Sequence, residues 1–414
     1  MRGEVIVGYQ DGSQEVVEVP RTSSVRSTIR QLTRSERVDF AVPNYEARAS
    51  AVPNDPGRAG VAGGWQQIQW NFLSCGSLCG RTAQPFQAAG GINAVGAWQT
   101  LADRNVQPGA GATVAVLDTG VAYKDKQPDF RQSPDFVDSQ FAAGFDFVNE
   151  DTEPLDQDGH GTHVTGTIAE LNDNGVALTG LAPSATVIPV RVLDASGVGD
   201  ARGITRGIRF ATDQGADVIN MSFEFASKVD SCADLPTVCK AIDYAKKNGV
   251  LAVAAAGNSE GKAVTFPARA PGVLGVGRVT KDACVAAGSR SGKGLDLVAP
   301  GGGPHKRGIG DCRKDGLKDS VAPISQFTFT GFDFNQFGYE GYEGTSMAAP
   351  HVTGVAALVI SSGVLGSDPS PNALACQIKE TTRRKGLGQK YSGFLFGAGL
   401  LDAASAVKAR APGC

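Results

Sequence analysis

No block of basic residues stands out in the 414-residue chain. Its 39 lysines and arginines nearly balance 42 aspartates and glutamates, leaving a net charge of −3. That balance argues against nucleic acid or an anionic membrane as the main partner. Long apolar runs are also missing. The most hydrophobic stretches, Val250–Ala256 and Val352–Ile360, fall well short of the ~20 residues that span a bilayer, so no transmembrane helix is expected. No CxxC pair or cysteine–histidine cluster is present, which makes a zinc site improbable. The chain shows no internal repeat and no long low-complexity tract. At Met1 no positively charged segment precedes an apolar core, so no signal peptide is visible; for an exported protein, the beginning would lie outside this sequence.

Glycine, by contrast, is abundant, at 54 of 414 residues against roughly 7% in ordinary proteins. Such a bias suits a turn-rich α/β enzyme. The eight cysteines (75, 79, 232, 239, 284, 312, 376 and 414) are even in number and suggest disulfides and an oxidising compartment. The short loops of Cys75–Cys79 and Cys232–Cys239 make those two pairs the expected ones. Buried free thiols in a cytosolic protein are the alternative.

Residues 3–49 read as a small α+β unit, with GEVIVGY, QEVVEV, a helical Ser24–Leu32 and RVDFAVPNY in turn. Residues 50–64, rich in proline and glycine, look like an exposed linker, and a cysteine loop follows within 51–91. The main domain is expected over 92–414. It opens with an amphipathic segment, Ile92–Leu101. From Thr113 onward, apolar runs (TVAVLD, TVIPVRVL, DVINMS, GVLAVAAAG) each sit near a helix-like stretch, including Val164–Leu171, Ile204–Asp213, Ala241–Lys247 and Met347–Ile360. This pattern predicts an α/β fold with a parallel central sheet covered by helices on both faces. Such sheets place their chemistry at the carboxyl ends of strands.

Four segments gather the unusual residues. Asp118 closes a strand in AVLDTGV. His160 opens a helix in DGHGTHVTG. Asn258 follows Gly257 in AAAGNSEG. Ser346 starts an apolar helix in GTSMAAPHVTGVAALVI, with Pro350 near its first turn. Singly, each has a plain structural role as turn former or cap. The HxxH phrase lacks the spacing and glutamate of the helical zinc motif, so His163 reads as a packed structural residue. Together the four supply one chemistry. A serine hydroxyl needs a base; an imidazole serves near neutrality; a carboxylate fixes its tautomer. The Asn258 amide and the Ser346 N–H suit a developing oxyanion, aided by the helix dipole.

These motifs, in the order Asp…His…Ser, resemble those of the subtilisin-like serine proteases (the subtilase family) from about Ile92 to about Val407. The resemblance implies a serine endopeptidase with a subtilisin-like fold. It implies Asp118 as the histidine's partner, His160 as general base, Ser346 as nucleophile and Asn258 as oxyanion donor. Substrate would lie as an extended strand between Gly197–Gly199 and the segment Ser222, Phe223 and Glu224, beside Gly257. Where the family usually has glycine, this chain has Glu224. It would either favour Lys or Arg before the scissile bond, narrow that pocket, or swing into solvent. Structural Ca²⁺ is implied at Asp129 with Asn172 and Asn174, and at a second cluster that includes Asp146 and Asp151. Residues 1–50 resemble a propeptide remnant, making the chain a self-processing zymogen cut within Glu46–Ala51. Arg48 would fit a basic preference. Protein or peptide substrates, the chain's own propeptide as partner, a monomeric state and a secreted location follow from the same likeness. A catalytically silent binding module and an intracellular processing protease are the competing readings. Between Gly301 and Gly344, alternating aromatics (Phe327, Phe329, Phe332, Phe334) suggest a packed hairpin.

Overall fold

The computed structural model describes residues 3–20, 22–44, 52–75, 86–226, 228–259, 261–307, 312, 321–331 and 333–414. The chain divides into two units, residues 1–50 and 51–414. In the first, alternating valines build strands β1 (Glu4–Tyr9), β2 (Gln14–Glu18) and β3 (Val38–Pro43), paired antiparallel in the order β2-β1-β3. Helix α1 (Val25–Leu32) is capped by a reciprocal Ser24–Ser27 pair and lays Val25, Ile29 and Leu32 on Val5, Val7 and Ala41.

The second unit alternates strand and helix. After α2 (Ala94–Ala102) come β4 (Thr113–Asp118), β5 (Phe145–Asp146), α3 (His160–Ala169), β6 (Thr186–Arg191), α4 (Ala201–Asp213), β7 (Val218–Met221) and α5 (Pro236–Lys247). Then follow β8 (Leu251–Ala255), β9 (Val273–Val279), β10 (Leu297–Pro300), β11 (Ile324–Phe329), β12 (Phe337–Tyr342), α6 (Thr345–Ser362), α7 (Pro371–Glu380), α8 (Gly393–Phe396) and α9 (Ala403–Lys408). Seven strands pair in the order β10-β9-β8-β7-β4-β6-β5, every neighbour parallel. Strand periodicity divides the core in two. Val114, Val116 and Val253 face α3 and α6, whereas Ala115, Leu117 and Ile219 face α4 and α5. Helix α6 is buried along most of its length, which explains its unbroken apolar sequence.

Of the expected exposed linker, residues 50–64, Arg58–Ala62 are exposed while Pro53, Asp55, Gly57 and Gly64 are buried. Just past it, Trp65, Trp70 and Phe72 join the larger core. Tryptophan rings gain too much from burial to remain on a tether. Among the cysteines, Cys232–Cys239 forms as expected, and Cys284–Cys312 and Cys376–Cys414 are also bonded. Cys79 lies outside the described residues, as do Glu46–Ala51 and Phe332. The aromatic alternation does form a hairpin, β11–β12, whose Phe334 stacks on Phe130 at 5.3 Å. The hairpin packs on α3, where the Thr328 hydroxyl donates to the Gly159 carbonyl at 2.8 Å.

Candidate active site

Strand β4 lies between β7 and β6, so the segments leaving those two strands flank Asp118 at its carboxyl end. The Asp118 carbonyl accepts from Val192 and Leu193 N–H, pinning the segment after β6. Gly161, in the first turn of α3, lets the helix press onto this strand end: a Cβ there would lie 2.1 Å from the Gly120 carbonyl oxygen. That approach brings His160 to Asp118, with Nδ1 2.7 Å from Oδ1. Asp118 is fully buried, and its Oδ1 also accepts the Thr119 N–H at 2.8 Å. His160 remains about one-quarter exposed. Burial opposes its protonation, but the charge and hydrogen bond of Asp118, helped by Asp158 and Asp156, outweigh that and raise its pKa to about 8.

A residue missed in the sequence, Asp156, organises the approach to His160. Its buried carboxylate accepts from the Thr119 and Thr162 hydroxyls and from the N–H groups of Asp158, Gly159 and Thr162. The turn-like phrase DQDGHG was the only signal for it. His163 is fully buried and lies 4.5 Å from Tyr342 in a stack, and burial lowers its pKa to about 3. It is a packing residue, as expected.

Ser346 occupies the first turn of α6. Pro350, four residues on, has no N–H with which to bond the Ser346 carbonyl. The Ser222 hydroxyl donates to it instead, at 2.8 Å, and itself accepts from Asn220 Nδ2. The groove segment after β7 is thereby tied to Ser346. Asn258 follows β8. Its Oδ1 accepts from the Thr345 N–H and hydroxyl, at 2.8 and 3.1 Å, which turns Nδ2 the other way. A methyl on Gly344 would lie 3.5 Å from Asn258 Oδ1, 3.6 Å from its Nδ2 and 3.6 Å from the Ser346 nitrogen. The two nitrogens an oxyanion would need are therefore neighbours of one spot.

The remaining substrate candidates line the same edge. Gly197 sits at φ +71° in the Asp194–Val198 turn, and Gly199 packs against the Val192 carbonyl. Ser222, Phe223 and Glu224 leave β7, with Gly257 opposite.

The metal candidates separate. Asp129 stands on the exposed Lys126–Phe130 turn, near Phe334 and Asn335. Asn174 Nδ2 donates to Asp135 at 2.8 Å, and Asp55 accepts the N–H groups of Asp173 and Asn174. Asn172 shares that loop. Asp55 and Asp135 are fully buried, and burial raises their pKa values to about 6 and about 7, with other acids as their charged neighbours. The two desolvated carboxylates, Asp55 and Asp135, suit a hard cation better than the exposed Asp129 does. At the second cluster, Asp146 is committed to a buried ion pair with Arg191 and to the N–H groups of Val148 and Asn149. Asp151 accepts from Glu153 N–H, while Glu153 pairs with Lys124 and Lys126. That cluster is an ion-pair network and does not fit calcium. Among the described residues, no three or more acidic, histidine or cysteine side chains converge as a metal cage.

Comparison with known proteins matches residues 109–399 to the Subtilase family. A thermophilic serine proteinase of Bacillus sp. (strain AK1) is 32% identical over 363 residues, covering 87% of this chain and 73% of that protein. Subtilisin Savinase of Lederbergia lenta is 34% identical over 300 residues, covering 72% and 92%. Among solved structures, a protease from Pseudoalteromonas arctica PAMC 21717 superposes with a TM-score of 0.66 at 29% identity, over 86% of this chain and 98% of that one.

Proposed function

The chain belongs to the subtilase family and is a subtilisin-like serine protease, and from that premise we propose an endopeptidase acting through Asp118, His160 and Ser346. The observation that carries the assignment is the 2.7 Å Asp118–His160 pair, standing at the same carboxyl edge of the sheet as the neighbouring Asn258 amide and Ser346 nitrogen. Ser346 Oγ attacks the peptide carbonyl as His160 Nε2 takes its proton. Asp118 accepts the Nδ1 hydrogen and stabilises the imidazolium. Asn258 Nδ2 and the Ser346 N–H receive the negative oxygen. His160 returns the proton to the leaving amine, and water then releases the acyl group by the same steps.

Backbone pairing with Gly197–Gly199 and Ser222–Glu224 supports breadth toward protein substrates. Residues 1–50 act as the propeptide of a self-processing zymogen. In support, their sheet puts Ile6, Val16, Phe40 and Val42 on the face opposite α1, an apolar surface suited to docking. The disulfides support secretion, and no helix among the described residues is long and apolar enough to cross a membrane. Ca²⁺ belongs beside Asn174, held by Asp55 and Asp135, where it would stabilise the loop against unfolding.

Casein digestion by wild type and by Ser346→Ala, with a serine-directed covalent inhibitor, tests the assignment. Wild type should digest casein and take up the inhibitor on Ser346. Undiminished digestion by the alanine variant would remove Ser346 from the reaction.

A further inference from the structure

Resting on the protease reading above, we propose that Glu224 closes the pocket for the residue before the scissile bond, so that cleavage follows small uncharged residues. A substrate carbonyl held between Asn258 Nδ2 and the Ser346 N–H directs that residue's side chain into the gap between 222–224 and 256–258. Glu224 stands in that gap. The residue is exposed, but its carboxylate is held across the gap, with Oε1 accepting the Asn258 N–H at 2.9 Å.

The opposite wall is equally tight. A methyl on Gly257, itself at φ +110°, would lie 2.7 Å from Glu224 Oε2, 2.8 Å from Thr265 Oγ1 and 3.0 Å from Arg290 Cδ. Three side chains thus converge on one bare α-carbon. Thr265 is buried and donates to the Ala256 carbonyl at 3.1 Å. Arg290 is clamped by the Ser259 hydroxyl and the Ala263 carbonyl. Neither retreats without breaking those bonds. An aromatic or long aliphatic side chain therefore has to displace Glu224 from the Asn258 N–H.

Charge narrows the choice further. Behind Thr265 and Arg290 lies a cavity of about 360 Å³ that also carries Lys262, Arg269 and Lys293, with Asp230 the acid among them. A lysine or arginine entering the pocket meets the Glu224 carboxylate first and Arg290 beyond it, so its length, stopped at the Gly257 wall, is what excludes it. An aspartate or glutamate meets Glu224 at the mouth. Glycine, alanine and serine meet neither obstacle. Within the expected maturation stretch, cleavage then follows Ala47, Ala49 or Ser50 in place of Arg48.

Peptides differing only at that residue (Ala, Phe, Arg, Glu) test the assignment on wild type, Glu224→Gly and Glu224→Gln. Wild type should favour Ala over Phe and Arg by about tenfold or more in kcat/KM, the scale on which a hydrophobic pocket discriminates size. Glu224→Gly should raise the Phe-to-Ala ratio of kcat/KM by about tenfold, whatever the variant does to both rates together. Glu224→Gln, equal in volume and still an acceptor, should keep the wild-type order. Preference for Phe or Arg by wild type, or an unchanged Phe-to-Ala ratio in Glu224→Gly, would overturn the pocket. Inhibitor uptake by Ser346 is measured alongside: uptake with the wrong ratios sinks this inference alone, and absent uptake sinks the protease reading beneath it.

Discussion

His160 feels two opposing pulls, and their balance sets a pH window. Burial favours the neutral ring, while Asp118 favours the cation and wins, with the pKa raised to about 8. A general base must be neutral to act. The rate should therefore climb with pH along a limb of apparent pKa near 8, read from kcat/KM on one peptide. In Asp118→Asn the limb should move down and turnover should fall by about 10⁴, the cost of a mis-set tautomer. The folded-state pKa lies above the unfolded 6.5. The ion pair's stabilisation is thus full below about 6.5 and fades as pH rises through about 8. Activity and this share of stability run in opposite directions across that interval. Asp118, His160 and Ser346 stand out in the sequence because each sits in a phrase whose chemistry makes sense only in company, and the fold joins the first two at 2.7 Å. Asp156 was not readable, since a buried hydrogen-bond hub leaves no trace in spacing beyond an acid in a turn.

At the scale of elements, the strands were the clearest signals, because burial on both faces leaves continuous apolar runs. Helix starts were less legible. Helix α4 begins at Ala201, capped by Asp200, and α5 at Pro236, whereas periodicity began only at Ile204 and Ala241. The first turn of α4 is held by the Asp200 cap and α5 opens on a proline that has no N–H to satisfy, signals that lie outside the apolar period. The start of α6 invites its own test. Gly344 has an extended backbone at φ 164°, so alanine is conformationally tolerable there. Its methyl would nevertheless occupy the spot that neighbours Asn258 Nδ2 and the Ser346 nitrogen. Gly344→Ala should keep the fold by circular dichroism and lose roughly 10²–10³ in kcat, the cost of removing one such donor as measured in subtilisin itself. Full activity in that variant would place the oxyanion elsewhere.

Over the whole molecule, the sequence left calcium ambiguous for a simple reason. The tripeptide Pro-Asp-Phe occurs twice, at 128–130 and 134–136, and only folding buries the second aspartate against Asn174. Asp55 was hidden in a stretch whose composition resembled a tether. If these two acids hold the ion, a chelator should lower the melting temperature of wild type. At 100 times Kd the ion is worth about 2.7 kcal/mol, or roughly 3–4 °C for a domain of this size. The double variant Asp55→Asn, Asp135→Asn should melt at the same temperature with and without chelator in differential scanning calorimetry. The proline in α6 has a consequence at this same scale. Because the Ser346 carbonyl is answered by Ser222, just past the end of β7, and not by its own helix, the groove wall and the first turn of α6 are tethered to each other. A peptide that levers that wall outward pulls on Ser346 as well.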